Sequence, residues 1–470
     1  MSTTGEATQR VRAPRRLRAS NASRTTFPLS FARSVLRFLW LLGVSAACST
    51  AAHAANWYVA PDGDDAAAGT LAQPFATLQR AQQSVEAGDT VFFRGGTYRL
   101  TESQFPQRRG LFARVFVLEK SGTREKPITY CAYENEKPVF DASQVKPRGQ
   151  RVTVFYVSGS WLRLEGLTVT GVQVTIKGHT QSICFESQGS HNVFERLAMH
   201  DGQAIGIYHV RGSDNLFLNC DAWTNWDFTS GDGKGGNVDG FGCHPPKGST
   251  GNVFRGCRAW FNSDDGFDAI NADETVIFEN CWAFYNGYGP KFERLADGNG
   301  FKVGGYAARP ASELPRPIPR HVVRQCVAVR NKSSGFYANH HPGGGDWLNN
   351  SVYRNGSNFN LLSRLADNRT DVDGYGHVLK NNLSFGGRSP FTNLDTSKSE
   401  LTNNSFDVDL TAGDFESLEE MELLRPRDAN GDLPRIRFLR PVVGSALIDA
   451  GVDVGLPFRG AKPDIGAFER

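Results

Sequence analysis

One short pattern recurs along this chain and restricts its fold more than any other feature. Residues 215–225 (NLFLNCDAWTN) align without gaps with residues 252–262 (NVFRGCRAWFN), 276–286 (VIFENCWAFYN) and 321–331 (HVVRQCVAVRN), and residues 346–355 (DWLNNSVYRN) extend the series. Weaker copies stand at residues 192–197 and 377–381. Measured at the cysteine position the steps are 37, 24, 45 and 24 residues, so a basic period of 23 to 24 carries insertions of roughly 13 and 21. A unit that short, built of alternating strand-like runs without a helix, is one coil of a parallel β-helix. The expected fold is therefore an all-β solenoid.

Successive coils of such a solenoid lie about 4.8 Å apart, so equivalent residues form columns. Asn225, Asn262, Asn286, Asn331 and Asn355 then make an asparagine ladder whose amides hydrogen-bond from coil to coil. Of 28 asparagines, 23 lie between residues 215 and 404, which places the regular solenoid there. Cys220, Cys257, Cys281 and Cys326 share another column, facing inward by strand alternation. Their spacing follows the repeat, and an expected mature chain would hold an odd number, seven, which favours buried thiols over a disulfide framework.

Outside the repeat, residues 75–85 place Phe75, Leu78, Ala81 and Val85 at helical spacing and predict a short cap helix. Strand-like runs follow at 90–93, 115–118, 128–130 and 154–157, and a helical period returns only at about 415–424. The expected division is a cap with the first coils over 55–150, a β-helix core over 151–405, and a tail over 406–470 that packs on it. Residues 1–54 read as a secretory leader. Eight arginines precede or flank an apolar run over 38–47, and Ala52-His53-Ala54 resembles a cleavage site. That run of ten is far short of the roughly 20 residues of a membrane span. Cys48 lacks the upstream leucine of a lipid-attachment site, so a secreted, cleaved chain is expected, and a monomer.

Removing the leader takes eight of 52 basic residues and one of 49 acidic ones, leaving 44 against 48 and a net charge of about −4 instead of +3. Nucleic-acid binding thereby loses its electrostatic case.

A second shared signature follows each ladder asparagine. Asp239-Gly240-Phe241-Gly242, Asp265-Gly266-Phe267-Asp268, Asn299-Gly300-Phe301-Lys302 and Ser334-Gly335-Phe336-Tyr337 superpose without a gap. The phenylalanines fill one column and read as an inward aromatic stack, so the residues flanking each of them point outward. One outward column is then Asp239, Asp265, Asn299 and the next is Gly242, Asp268, Lys302, with Asp264 at a bend beside Asp265. Four carboxylates so placed repel one another and ask for a cation. Oxygen ligands alone suit Ca²⁺ better than Zn²⁺. A solvated acidic turn is the bland alternative. Lys302 beside the acids is either a salt-bridge partner of Asp268 or a general base whose proton is loosened by a cation between acids and lysine.

The stretches Asn262-Ser263-Asp264-Asp265-Gly266-Phe267-Asp268 and Gly298-Asn299-Gly300-Phe301-Lys302-Val303-Gly304-Gly305, with Asn237-Val238-Asp239-Gly240-Phe241 and residues 251–260, resemble polysaccharide lyase family 9 over about 190–390. The resemblance implies a right-handed parallel β-helix and Ca²⁺-dependent β-elimination on polygalacturonate. It implies that Asp239, Asp264, Asp265 and Asp268 bind Ca²⁺ and that Lys302 takes the C5 proton, giving a 4,5-unsaturated product. The departures are Gly242-Cys243-His244-Pro245-Pro246 and an insertion at 291–297, which bear on substrate identity and on endo or exo action rather than on reaction type.

Three rivals remain open: a polygalacturonase-type hydrolase, although no G-H-G or R-I-K segment is present; a lyase or epimerase on another uronate polymer, although D-P-H-D is missing; and a calcium-stabilised glycan-binding protein. Among weaker signals, residues 428–432 read as a turn rather than a calcium loop, His340-His341 with Gly343-Gly344-Gly345 read as a loop between coils, and Arg316 and Arg320 are either cations for an acidic polymer or part of an exposed linker.

Overall fold

A computed structural model describes residues 54–470, so the leader expected at 1–54 lies almost wholly outside the described residues. Three parallel sheets of 12, 10 and 11 strands wrap a common core, each complete coil giving one strand to each sheet. The 12-stranded sheet runs from Asn56–Val59 to Glu400–Thr402. The 11-stranded sheet carries the second sequence signature, and its pairings set Phe241 against Phe267, Phe267 against Phe301, and Phe301 against Phe336. This is the expected parallel β-helix. Two short antiparallel pairs, Gln107–Arg109 with Phe112–Leu118 and Ser363–Arg364 with Asp371–Val372, depart from the parallel pattern. No described helix is long and apolar enough to cross a membrane.

The interior is sorted by column, as the repeat predicts. Phe241, Phe267, Phe301, Phe336 and Phe359 stack with centroids 4.8, 4.7, 5.1 and 5.0 Å apart. The asparagine ladder is continuous, each Nδ2 donating to the next Oδ1 at 3.1, 3.1, 3.0 and 2.9 Å from Asn225 to Asn355. Each ladder residue follows a left-handed one (Thr224, Phe261, Tyr285, Arg330 and Arg354, φ 48 to 60°), which turns the chain sharply enough to aim the amide inward. All seven described cysteines are free and buried. The column of Cys220, Cys257, Cys281 and Cys326 continues as Asn350, Asn382 and Asn404, a second amide ladder with 3.0 and 2.9 Å links. Asn215 and Asn252 belong to a third.

The helices are shorter than their apolar spacing predicts. The cap helix is Leu78–Ser84, because Asp65 holds the N–H groups of Ala76 and Thr77, and the Thr77 hydroxyl caps the helix by accepting from the Arg80 N–H. Phe75 therefore packs on the core from outside the helix. The period at 415–424 yields only the 3₁₀ turn Glu420–Leu424, since Phe415 bridges to Pro441 and is drawn out of any helix. Tail residues Leu423, Phe438, Leu447 and Ile465 close over Trp282, Val327 and Tyr353 on the outside of the 10-stranded sheet.

Candidate functional site

The expected outward columns exist on the 11-stranded sheet. Gly242 pairs with Asp268, Asp268 with Lys302, and Lys302 with Tyr337. In the neighbouring column the Asp239 carboxylate accepts from the Asp265 N–H at 3.1 Å. Asp265 Oδ1 in turn accepts from the backbone and side-chain N–H groups of Asn299 at 2.7 and 2.8 Å, and Asn299 Oδ1 accepts from Ser334 N–H. Each coil thus fixes the carboxylate of the one before it.

Ligand oxygens of Asp239, Asp265 and Asp268 lie within 4.8 Å of one another, and all three residues are buried. Asp264 is buried as well but stands outside this triad. Its Oδ1 accepts from the Asp297 N–H at 3.1 Å, so the insertion at 291–297 folds back onto it. Lys302 reaches across with Nζ 3.1 Å from Asp265 Oδ2 and 3.2 Å from Asp268 Oδ2, its side chain only 15% exposed.

The electrostatics follow from burial and like charge. Burial and then Asp264, Asp268 and Asp265 push the Asp239 carboxyl well above the usual range. Burial and Asp265 do the same to Asp264, and burial outweighs Lys302 at Asp265. Burial pulls the Lys302 ammonium down, but Asp268, Asp265, Asp239 and Asp264 together more than reverse this, so its proton is held tightly.

The donor set fits a hard cation. Asp265 Oδ2 is fully buried and accepts no hydrogen bond even though it ion-pairs with Lys302, which leaves it lone pairs aimed into the triad. Three carboxylates without a thiolate or imidazole among them favour an oxygen-seeking ion. The triad can hold such an ion.

Tyr208 is a site residue that the repeat reading missed. It pairs with Gly242, and a Cβ on that glycine would sit 2.6 Å from the Tyr208 ring, so glycine there lets the ring lie over the acid column. Its hydroxyl is 3.0 Å from His244 Nδ1, and burial followed by Asp268, Asp239 and Glu186 pushes the phenol up to about 12. The signal was available: Ile205-Gly206-Ile207-Tyr208 aligns with Asp239-Gly240-Phe241-Gly242. His244, part of the departing segment 242–246, is half-buried, and desolvation pulls its imidazole below its usual range. Arg320 is not free for a polymer, being paired with Asp346 at 2.5 Å. Residues 428–432 form a turn closed by the Asp428 carboxylate.

Comparison with known proteins agrees with this fold. Residues 57–385 match the family described as the Pel9A-like, right handed beta helix region. Pectate lyase L of Dickeya chrysanthemi is 33% identical over 428 residues, covering 88% of this chain and 90% of that protein. A solved structure named rhamnogalacturonan lyase superposes with a TM-score of 0.79 at 47% identity, over 83% of this chain and 96% of the other. The crystal structure of pectate lyase Pel9A gives 0.71 at 32% identity, over 88% and 96%. The chain belongs to polysaccharide lyase family 9, the Pel9A-like right-handed β-helix enzymes.

Proposed function

We propose that this protein is a secreted, Ca²⁺-dependent polysaccharide lyase that cleaves polygalacturonate by β-elimination. The carrying observation is Lys302, an amine packed 3.1 and 3.2 Å from two carboxylates of a buried acidic triad on the outer face of the β-helix. Asp239, Asp265 and Asp268 would hold the ion, with Asp264 alongside. When bound, Ca²⁺ supplies positive charge that draws in a uronate carboxylate and acidifies the C5 proton beside it.

The chain's own residues do the rest. Once the charge of the triad is otherwise neutralised it no longer holds the proton of the Lys302 ammonium, which passes to solvent and leaves a neutral amine able to accept another. Backbone and Asn299 N–H groups keep Asp265 in place throughout, so the geometry needs no reorganisation at the moment of reaction. Loss of the C5 proton to Lys302 Nζ and departure of the C4 oxygen give a 4,5-unsaturated end.

The 47% identity to a protein named rhamnogalacturonan lyase favours a second substrate, rhamnogalacturonan, cleaved by the same chemistry next to galacturonate. Absorbance near 235 nm tests both. Wild-type protein with Ca²⁺ should raise it on at least one of the two polymers, chelator should stop the rise, and Lys302→Met should lower it by about 10²–10⁴-fold. No rise on either polymer from folded, Ca²⁺-supplied protein would refute the reading, and the preferred polymer decides between the substrates.

A further inference from the structure

The face that carries Lys302 continues well beyond the acidic triad. From Lys302 the outward column runs through Asp268, Gly242, Tyr208 and Glu186 to Tyr156, five strand steps or about 24 Å away. Strand alternation breaks once in each of the far strands, where Val115 and Phe116 are both buried, as are Val154 and Phe155. That break brings a second outward column, Arg114 paired with Thr153, alongside Tyr156. Between them opens a cavity of about 520 Å³ lined by Phe112, Arg114, Tyr156, Gln188 and Arg211.

Its chemistry is that of an acidic-sugar site. The Arg114 guanidinium carbon lies 3.4 Å from the centroid of the Tyr156 ring, and one of its nitrogens donates to Gln107 at 2.5 Å. Its Nε is buried without any hydrogen-bond partner. Neither Arg114 nor the exposed Arg211 forms an ion pair among the described residues. The one carboxylate underneath, Glu186, is taken up by the Thr153 hydroxyl at 3.1 Å and by the Gln188 amide, and the Tyr156 hydroxyl donates to Gln188 at 3.2 Å. The floor is therefore ordered and polar, while two cations above it are left without counter-charge. Arginine forks recognise carboxylates, and aromatic faces stack on sugar rings.

We propose that this cavity is a distal subsite that binds the carboxylate of a uronate residue in a polymer laid along the sheet from Lys302. The inference rests on the uronate-lyase reading and extends it, since it makes long chains better substrates than short ones. Double substitution Arg114→Gln with Arg211→Gln should lower kcat/KM on polygalacturonate relative to trigalacturonate by about tenfold, mainly through KM. A ratio within about twofold of wild type overturns the proposal. Calorimetry with chelator-treated protein and an oligogalacturonate long enough to span about 24 Å gives an independent reading. Affinity should fall about tenfold in the double variant, and equal affinity again overturns the subsite. Were wild type inactive on every uronate, the lyase reading would fail while calorimetry still decided the subsite. If Arg114→Gln does not fold, Arg211→Gln alone, exposed and unpaired, carries the same tests with a loss in the same direction.

Discussion

Asn286 sits at the centre of the asparagine ladder, fully buried, and its side chain makes four hydrogen bonds. It donates to Ala259 O and Asn331 Oδ1, both at 3.0 Å, and accepts from the backbone N–H of Asn262 at 3.2 Å and its Nδ2 at 3.1 Å. In Asn286→Ala two of the four partners keep another bond, because Asn262 Nδ2 still reaches Ala222 O and Asn331 Oδ1 still accepts from the backbone N–H of residue 286. The Asn262 N–H is left with none, inside a core that water does not reach. At roughly 1 kcal/mol for each of the three ordinary bonds and about 1–3 kcal/mol for the stranded donor, the substitution should cost about 4–6 kcal/mol. Urea unfolding followed by circular dichroism measures it, with Asn280→Gly as control. Asn280 is exposed, has φ 51°, and should change stability by less than about 0.5 kcal/mol. Because a solenoid unfolds by neighbouring coils, amide exchange at Asn262 should also accelerate beyond the global change. A cost under about 1 kcal/mol, with Asn262 still protected, would refute the idea that the ladder holds the coils in register.

Three other outcomes follow from the same geometry. Burial holds His209 and His377 down to about 3 and His341 to about 4, whereas in the unfolded chain each takes a proton near 6.5. The unfolded state therefore binds more protons as pH falls below about 6.5, and stability should drop by about 2 kcal/mol per histidine by pH 5; denaturant midpoints that are flat between pH 7 and 5 would contradict this. Calcium should raise the thermal midpoint of wild type but not of Asp265→Asn, and an equal shift in both would place the ion elsewhere. Gly242→Ala puts a methyl 2.6 Å from the Tyr208 ring and should cost about 1–3 kcal/mol while displacing that ring, seen as a change in tyrosine fluorescence; an unaltered spectrum and melting point would mean that the contact is slack.

The solenoid was legible because its inward columns repeat. Phe241, Phe267, Phe301 and Phe336 each follow a glycine, and the five ladder asparagines fix where every coil turns. From these alone the meeting of Asp239, Asp265, Asp268 and Lys302 follows. What the spacing did not convey is a matter of local competition. The backbone N–H of Asp297 claims one oxygen of Asp264, a contact made by an insertion that belongs to no column. The helix at 75–85 looked longer because apolar spacing cannot show that Asp65, from an earlier loop, stops it at Thr77. Tyr208 was overlooked because isoleucine replaces phenylalanine beside it, although Gly206 keeps the register.

The division of labour between columns explains how such a site is maintained. A shift of one residue would turn Phe267 outward and carry Asp268 into the core, and the neighbouring coils resist it through stacking on Phe241 and Phe301 and through the amide links of Asn262 and Asn286. Uniform inward columns thus fix the register, and the outward ones are left free to change from coil to coil. Along a single outward column the chain places tyrosine, glutamate, tyrosine, glycine, aspartate, lysine and tyrosine at successive steps. Function in this architecture is written as departure from the repeat. The buried like charges of Asp239, Asp265 and Asp268 are tolerated there because the stability of the coils on either side comes from columns that take no part in the chemistry.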